Sequence, residues 1–259
     1  MVTGFIYSAD DNASKLSAAR KLYLAGKYDE AILAFKEKLK ACTATKGAGS
    51  YEAGVTHCQL ALTYVKSGDK RNALKNLEKA LEIQKIKASP RESIFFKQTS
   101  VVVFIIAGKT DDSKIAAKNL FETVRKVHGA DSADYIGRLE FIGTTYLIHS
   151  KSKQEVIYYY GKAIDSINKQ EDPDNTRLVR LNNRLGLIYK EIGNAALALK
   201  YFNQSLKLLE KMRPLDKVKI EAHYREIYSL YLHHLNEYKK AHHILLSSRH
   251  CYCRSFYSA

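Results

Sequence analysis

A small residue followed three places later by a large one, then a glycine, then a second apolar run spaced by three or four residues, is the pattern that organises this chain. Its clearest copies are CQLALTYVKSGDKRNALKNLEKALEI at 58–83 and NRLGLIYKEIGNAALALKYFNQSLKLL at 183–209. In the first, Ala61 and Tyr64 are the small and large residues, Gly68 is the turn, and Ala73, Leu77 and Ala80 mark the second run; Gly186, Tyr189, Gly193, Ala198, Phe202 and Ser205 take those places in the second. Spacings of three and four put these residues on one face of a helix, so each copy predicts two helices joined by a glycine turn. Two antiparallel helices approach closely only where a side chain is small, and a bulky neighbour fills the space beside the contact. A hairpin of this kind leaves an apolar face that only the next hairpin can cover, which predicts an array.

Four further copies complete the pattern. SAARKLYLAGKYDEAILAFKEKL at 17–39 carries Ala19, Leu22, Gly26, Tyr28, Ala31 and Phe35; FIGTTYLIHSKSKQEVIYYYGKAI at 141–164 keeps Gly143, Tyr146, Tyr160 and Ala163, with Val156 where alanine is usual. YSLYLHHLNEYKKAHHILL at 228–246 keeps Ser229, Leu232, Tyr238, Ala241 and Leu245. The weakest copy has Val101 in the small position, and its GKTDDSK stretch reads as a lengthened turn ahead of Ala117 and Phe121. On these residues the chain resembles the tetratricopeptide repeat family. The small positions 19, 61, 101, 143, 186 and 229 are separated by 42, 40, 42, 43 and 43 residues. That step exceeds the roughly 34 residues of the commonest form of the repeat. The longer form is similar to the repeats of kinesin light chain, and KVHGADSADYIGRLEFIGTTY at 126–146 is the segment most similar to them.

The resemblance implies an all-α fold, a right-handed superhelical solenoid of about six helical hairpins. The expected array covers 13–254, as repeats at about 13–45, 53–88, 91–128, 134–170, 175–212 and 217–254, between tails at 1–12 and 255–259. Turn chemistry gives independent support. Ser89-Pro90-Arg91-Glu92 reads as a cap, a proline in the first turn and a reciprocating acid, so a helix begins there. Asp172-Pro173-Asp174 and Pro214-Leu215-Asp216 mark two more helix starts. Only these three prolines occur, so little of the sequence forbids a helix interior.

Composition narrows the function classes. The net charge of +15 raises nucleic acid or an acidic surface as partners. The excess is diffuse, however: Lys and Arg stand to Asp and Glu as 8 to 5, 9 to 5, 6 to 6 and 9 to 6 over successive fifties, and as 10 to 5 over 201–259. Lys36, Lys38 and Lys40, with Glu37 among them, read as a solvated helix face. Four cysteines, Cys42, Cys58, Cys251 and Cys253, form no disulfide framework, and MVTGFIYSADD has neither the basic start nor the apolar run of a signal peptide. The longest apolar run, 101–107, is far short of the roughly 18 residues of a membrane span. These readings predict a cytoplasmic protein. His233, His234, His242, His243, His250, Cys251 and Cys253 crowd the last thirty residues, but no pair has structural zinc spacing, and surface histidine is the expectation, with no metal and no cofactor. The chain has no nucleophile elbow, phosphate loop, dinucleotide fingerprint or metal-hydrolase motif, so no enzyme is expected.

In the family, first helices line a groove, and the resemblance places its contacts at fixed offsets from the small residue. In the fifth repeat these are Arg180, Asn183, Arg184, Leu187 and Lys190. Two guanidiniums and an amide on one face suit a carboxylate or phosphate, since the arginine fork bonds two oxygens and an amide fixes a peptide backbone; the competing reading is a solvated face with chance basic residues. Arg180 and Arg184 match the basic places in the last repeat of the chaperone-tail clamp, but Phe141, Gln98 and Val102 stand where that clamp needs Asn, Lys and Asn. The offsets of the third and fourth repeats, Phe95, Gln98, Ile105, Phe141, Leu147 and Ile148, are mainly apolar. The expected partner is therefore an acidic peptide with hydrophobic anchors, held by Arg180, Asn183, Arg184, Lys190, Phe141 and Gln98, and the expected role is a scaffold or adaptor. The alternatives are an RNA-binding helical repeat, suggested by eighteen tyrosines and a pI near 9.5, and end-to-end self-association of a fragment of a larger assembly protein.

Overall fold

The computed structural model describes residues 17–150 and 152–253. Among these residues there is no strand. The helices are α1 (Ala18–Leu24), α2 (Tyr28–Lys46), α3 (Tyr51–Ser67), α4 (Lys70–Lys87), α5 (Pro90–Ala107) and α6 (Thr110–His128). They continue as α7 (Ala133–His149), α8 (Lys153–Asn168), α9 (Asn175–Glu191), α10 (Ala195–Lys211), α11 (Lys217–Ser229) and α12 (Tyr238–Cys253). The fold is an all-α repeat solenoid. The tails expected at 1–12 and 255–259 lie outside the described residues. The chain divides into two compact units, 1–159 and 160–259, with the boundary inside α8.

Unit 1 is built from the hairpins α1/α2, α3/α4 and α5/α6, followed by α7 and the start of α8. Each second helix packs on the next first helix, α2 on α3, α4 on α5 and α6 on α7; the first helices also meet directly, α3 on α5 and α5 on α7. The small positions are filled as the spacing demands: Ala19, Ala61 and Val101 are buried on first helices, and Ala31, Ala73 and Ala117 on second ones. Large side chains close the gaps beside them. Phe121 meets Tyr135 edge-on with ring centres 5.3 Å apart, and Tyr146 stacks on Tyr159 at 5.7 Å. The Tyr146 hydroxyl and Ser113 share a buried hydrogen bond of 2.8 Å, so the phenol enters the core with its polar end satisfied.

In unit 2, α9 and α10 form a hairpin, α10 packs on α11, and α11 on α12. Gly186 is the small residue of α9, and a Cβ there would stand 2.8 Å from two ring carbons of Phe202. The buried Ser205 hydroxyl donates to the Val179 carbonyl at 3.0 Å, tying α10 to α9.

The turn signals act as their chemistry requires. The Ser89 hydroxyl accepts from the Glu92 N–H, and the Glu92 carboxylate accepts from the Ser89 N–H at 2.8 Å, a complete capping box with Pro90 in the first turn. Asp174 and Asp216 each accept the N–H three residues on, at 3.0 Å, and open α9 and α11. Gly68 ends α3 at φ 92°, a conformation that costs other residues the Cβ clash glycine lacks.

One expectation is corrected. The third repeat has no lengthened turn: Gly108 and Lys109 alone separate α5 from α6. Thr110, Asp111 and Asp112 instead form the first turn of α6, where the acids face the positive helix end. The sixth first helix is irregular. After Ser229 the chain makes a π-helical segment, Leu230–His234, closed by the Leu235 N–H on the Leu230 carbonyl at 3.1 Å, and Asn236 follows at φ 54°. The extra residue in that turn shifts the register of the side chains beyond it.

Candidate functional site

The face of α9 carries the fifth-repeat residues in the order their spacing dictates. Arg180 is exposed, Asn183 and Arg184 are half-buried, Leu187 is exposed and Lys190 is half-buried. One helical turn separates Arg180 from Arg184, and one separates Asn183 from Leu187, so the group forms a continuous strip. Arg184 is positioned by Tyr160: its guanidinium donates to the phenol oxygen at 2.8 Å and lies 5.7 Å from the ring centre. Lys190 donates to Glu226 of α11 at 2.7 Å. That pair joins the first helices of the fifth and sixth repeats, and it already supplies the lysine with a carboxylate. On α11, His223 is buried one turn before Glu226. Burial pushes its pKa below the ordinary imidazole value, the Lys219 carbonyl takes its Nδ1 at 2.7 Å, and its Nε2 has no hydrogen-bond partner.

Gln98 and Phe141 belong to unit 1. Gln98 is only 2% exposed and Phe141 6%. The Gln98 amide oxygen accepts from Arg138, whose guanidinium also holds Asp134 through two bonds of 2.9 and 3.0 Å. A polar side chain at a first-helix contact between α5 and α7 has thus been drawn inward by a neighbouring cation. Val102 and Ile105 are likewise core, and Phe95 is half-buried against Phe96 at 6.1 Å. Leu147 and Ile148 do reach the surface, at 41% and 56% exposure.

Two residues the sequence reading passed over stand beside them. Lys66, in the last turn of α3, lies 3.3 Å from the Nε2 of His149, the last residue of α7. Both are half-buried, and burial depresses the pKa of each; Lys66 depresses that of His149 further. Lys66 sits five places after Ala61, the same offset as Ile148 from Gly143, so carrying the offsets into the second repeat would have found it.

No helix among the described residues is long and apolar enough to cross a membrane. Among those residues no group of three or more His, Cys, Asp or Glu is placed to hold a metal ion. Cys58 is buried and free, with its thiol pKa raised by burial, and Cys42 is free and partly exposed. The side chains of His250, Cys251 and Cys253 lie outside the described ones.

Comparison with known proteins adds three findings. The tetratricopeptide repeat family model matches residues 13–86, and a second model of that description matches 179–210. No curated protein matches the chain. Among solved structures, BtubC (BKLC) from P. vanneervenii is similar with a TM-score of 0.55 and 12% identity, over 94% of each chain. The nearly identical TPR-like repeats of a Podosopora anserina protein named for kinesin light chain align at 15% identity with a TM-score of 0.45, over 93% of this chain and 94% of that one. A single-substitution variant of that protein gives a TM-score of 0.43 at 15% identity over 93% of each. With two matched segments and small-residue hairpins stacked in each unit, the chain carries tetratricopeptide repeats over 13–86 and 179–210.

Proposed function

We propose that the chain is a non-enzymatic scaffold or adaptor of the cytoplasm that holds an acidic, partly hydrophobic peptide of a partner protein along its first helices. Tetratricopeptide repeats in general mediate protein–protein interaction, and the finer reading rests on α9. The observation that carries it is the Arg180–Asn183–Arg184 strip, in which Tyr160 holds Arg184 in place before any ligand arrives. A guanidinium already fixed at a half-buried position loses less side-chain freedom on binding a carboxylate, which favours affinity. Leu187, exposed in the same strip, offers an apolar contact beside the charges. Lys190 serves as a supporting contact, because Glu226 competes for its ammonium.

The test is fluorescence anisotropy with a labelled peptide alternating Glu and Leu, set against peptides alternating Gln and Leu or Lys and Leu. The proposal expects binding of the Glu peptide alone, weakened at least about tenfold by Arg184→Glu, since a charge-assisted hydrogen bond contributes roughly that much. Equal binding of all three peptides, or an unchanged affinity in Arg184→Glu, would overturn it. A labelled single-stranded RNA run at two salt concentrations separates the nucleic-acid reading: tight binding with a steep salt slope would favour RNA instead.

A further inference from the structure

We infer that Lys66 and His149 form a second carboxylate-binding site, on the first-helix side of unit 1, which takes an acidic side chain of a peptide whose apolar neighbour rests on Ile148. The site is separate from the α9 strip and stands or falls without it.

Placement is the first ground. α3 packs on α5 and α5 on α7, so the 3.3 Å contact between Lys66 and His149 spans two first helices that α5 otherwise separates. The residues meet from sequence positions 83 apart. Such a bridge across three first helices lies where a peptide running along them would cross it.

Charge is the second ground. Two basic groups in contact are ordinarily accompanied by an acid, and among the described residues neither has one. The groups on the elements around α7 are engaged elsewhere. Arg138 holds Asp134 and Gln98, Lys97 donates to Thr123, Lys109 pairs with Asp112, and Lys114 pairs with Glu155. At the other end of α3, Glu52 pairs with Lys46. Lys66 is the charged group that acts on His149, and burial is what acts on Lys66. At neutral pH the contact is satisfied by the Lys66 ammonium donating to a neutral imidazole. Protonation of His149 turns it into two half-buried cations with no anion, which is unfavourable until one is supplied.

A carboxylate supplies it. One oxygen accepts from the ammonium and the other from the imidazolium, the geometry a two-oxygen anion offers to two donors held side by side. Binding therefore favours the protonated imidazole, takes up a proton, and raises the His149 pKa. Ile148, exposed and next to His149 at the end of α7, offers an apolar contact for the residue beside the acid.

The probe is an acetylated peptide alternating Leu and Glu, with its Leu/Gln counterpart as control, and the protein is the full chain. The imidazole resonances of His149, assigned through His149→Gln, are followed by NMR across pH with and without each peptide. The proposal expects the Leu/Glu peptide to raise the His149 pKa and the Leu/Gln peptide to leave it unchanged. Affinity at this site should rise as pH falls, because binding takes up a proton at His149, whose pKa burial and Lys66 hold below the ordinary imidazole value in the free protein. Lys66→Met should weaken binding at this site about tenfold. His149→Gln should remove its pH dependence while leaving weak binding. Arg184→Glu, which removes the α9 contact, should leave the His149 shift intact. A His149 pKa unmoved at saturating Leu/Glu peptide would overturn the inference. So would a shift that survives in Lys66→Met, or one produced equally by single-stranded RNA at the same concentration.

Discussion

Replacing Gly186 by alanine tests the packing rule on which the repeat depends, because local and tertiary effects oppose each other there. In a helix interior the change is favourable by about 0.5–1 kcal/mol, since glycine gives up more backbone freedom on folding. At 186, however, the new Cβ would stand 2.8 Å from the Cδ1 and Cε1 of Phe202 and 3.0 Å from its Cζ. Phe202 is 0% exposed, so its ring cannot swing outward, and α9 and α10 must separate. Overpacking of this kind costs about 1–3 kcal/mol, leaving a net loss of up to about 2.5 kcal/mol. Gly161 is the control: it lies inside α8, and a Cβ there meets nothing within 4 Å. Gly161→Ala should therefore stabilise by up to about 1 kcal/mol. Urea unfolding followed by circular dichroism gives the sign of each change, and amide exchange in α9 and α10 localises the first. Phe202→Leu should relieve part of the Gly186→Ala penalty in a double-mutant cycle. If Gly186→Ala proves as stable as the parent, the close approach of these helices is not what fixes the glycine.

Other consequences follow from single groups. His223 is buried neutral with its pKa depressed, so the unfolded chain takes a proton near the ordinary value of about 6.5 before the folded one does. Its contribution to stability is full above that pH and is lost as pH falls. The melting temperature should therefore drop on acidification, and His223→Leu should flatten part of the slope, with His57 and His149, also depressed, supplying the rest. Ser89→Ala removes the capping box of α5 and should cost about 1 kcal/mol in urea unfolding. The partly exposed Lys190–Glu226 pair should show a coupling below about 1 kcal/mol in a double-mutant cycle, and the coupling should shrink further in high salt.

How much of this was legible in the sequence depended on how far apart the interacting residues lie. The capping box needs only Ser89, Pro90 and Glu92, and it was readable as it stands. The Gly186–Phe202 contact was readable too, because both residues sit in one hairpin whose spacing fixes which faces meet. GKTDDSK misled because its polarity imitates a loop, whereas Asp111 and Asp112 are first-turn acids of α6. The burial of Gln98 was not legible, because a glutamine at a groove offset gives no sign that Arg138, forty residues away, bonds it in the interior. The Lys66–His149 contact spans 83 residues, and no local pattern foretells it. The π-helical turn at 230–234 is of the same kind, since Leu230 is buried among residues of α10 and α11 that no spacing within α11 encodes.

The most direct test of the account is an unbiased selection of short random peptides on the full chain, repeated with Arg180→Glu/Arg184→Glu and with Lys66→Met. The selected sequences should be rich in Asp and Glu beside Leu, Ile or aromatic residues, with enrichment reduced in each variant. Recovery of basic or uncharged peptides, or the same acidic set from parent and both variants alike, would contradict it.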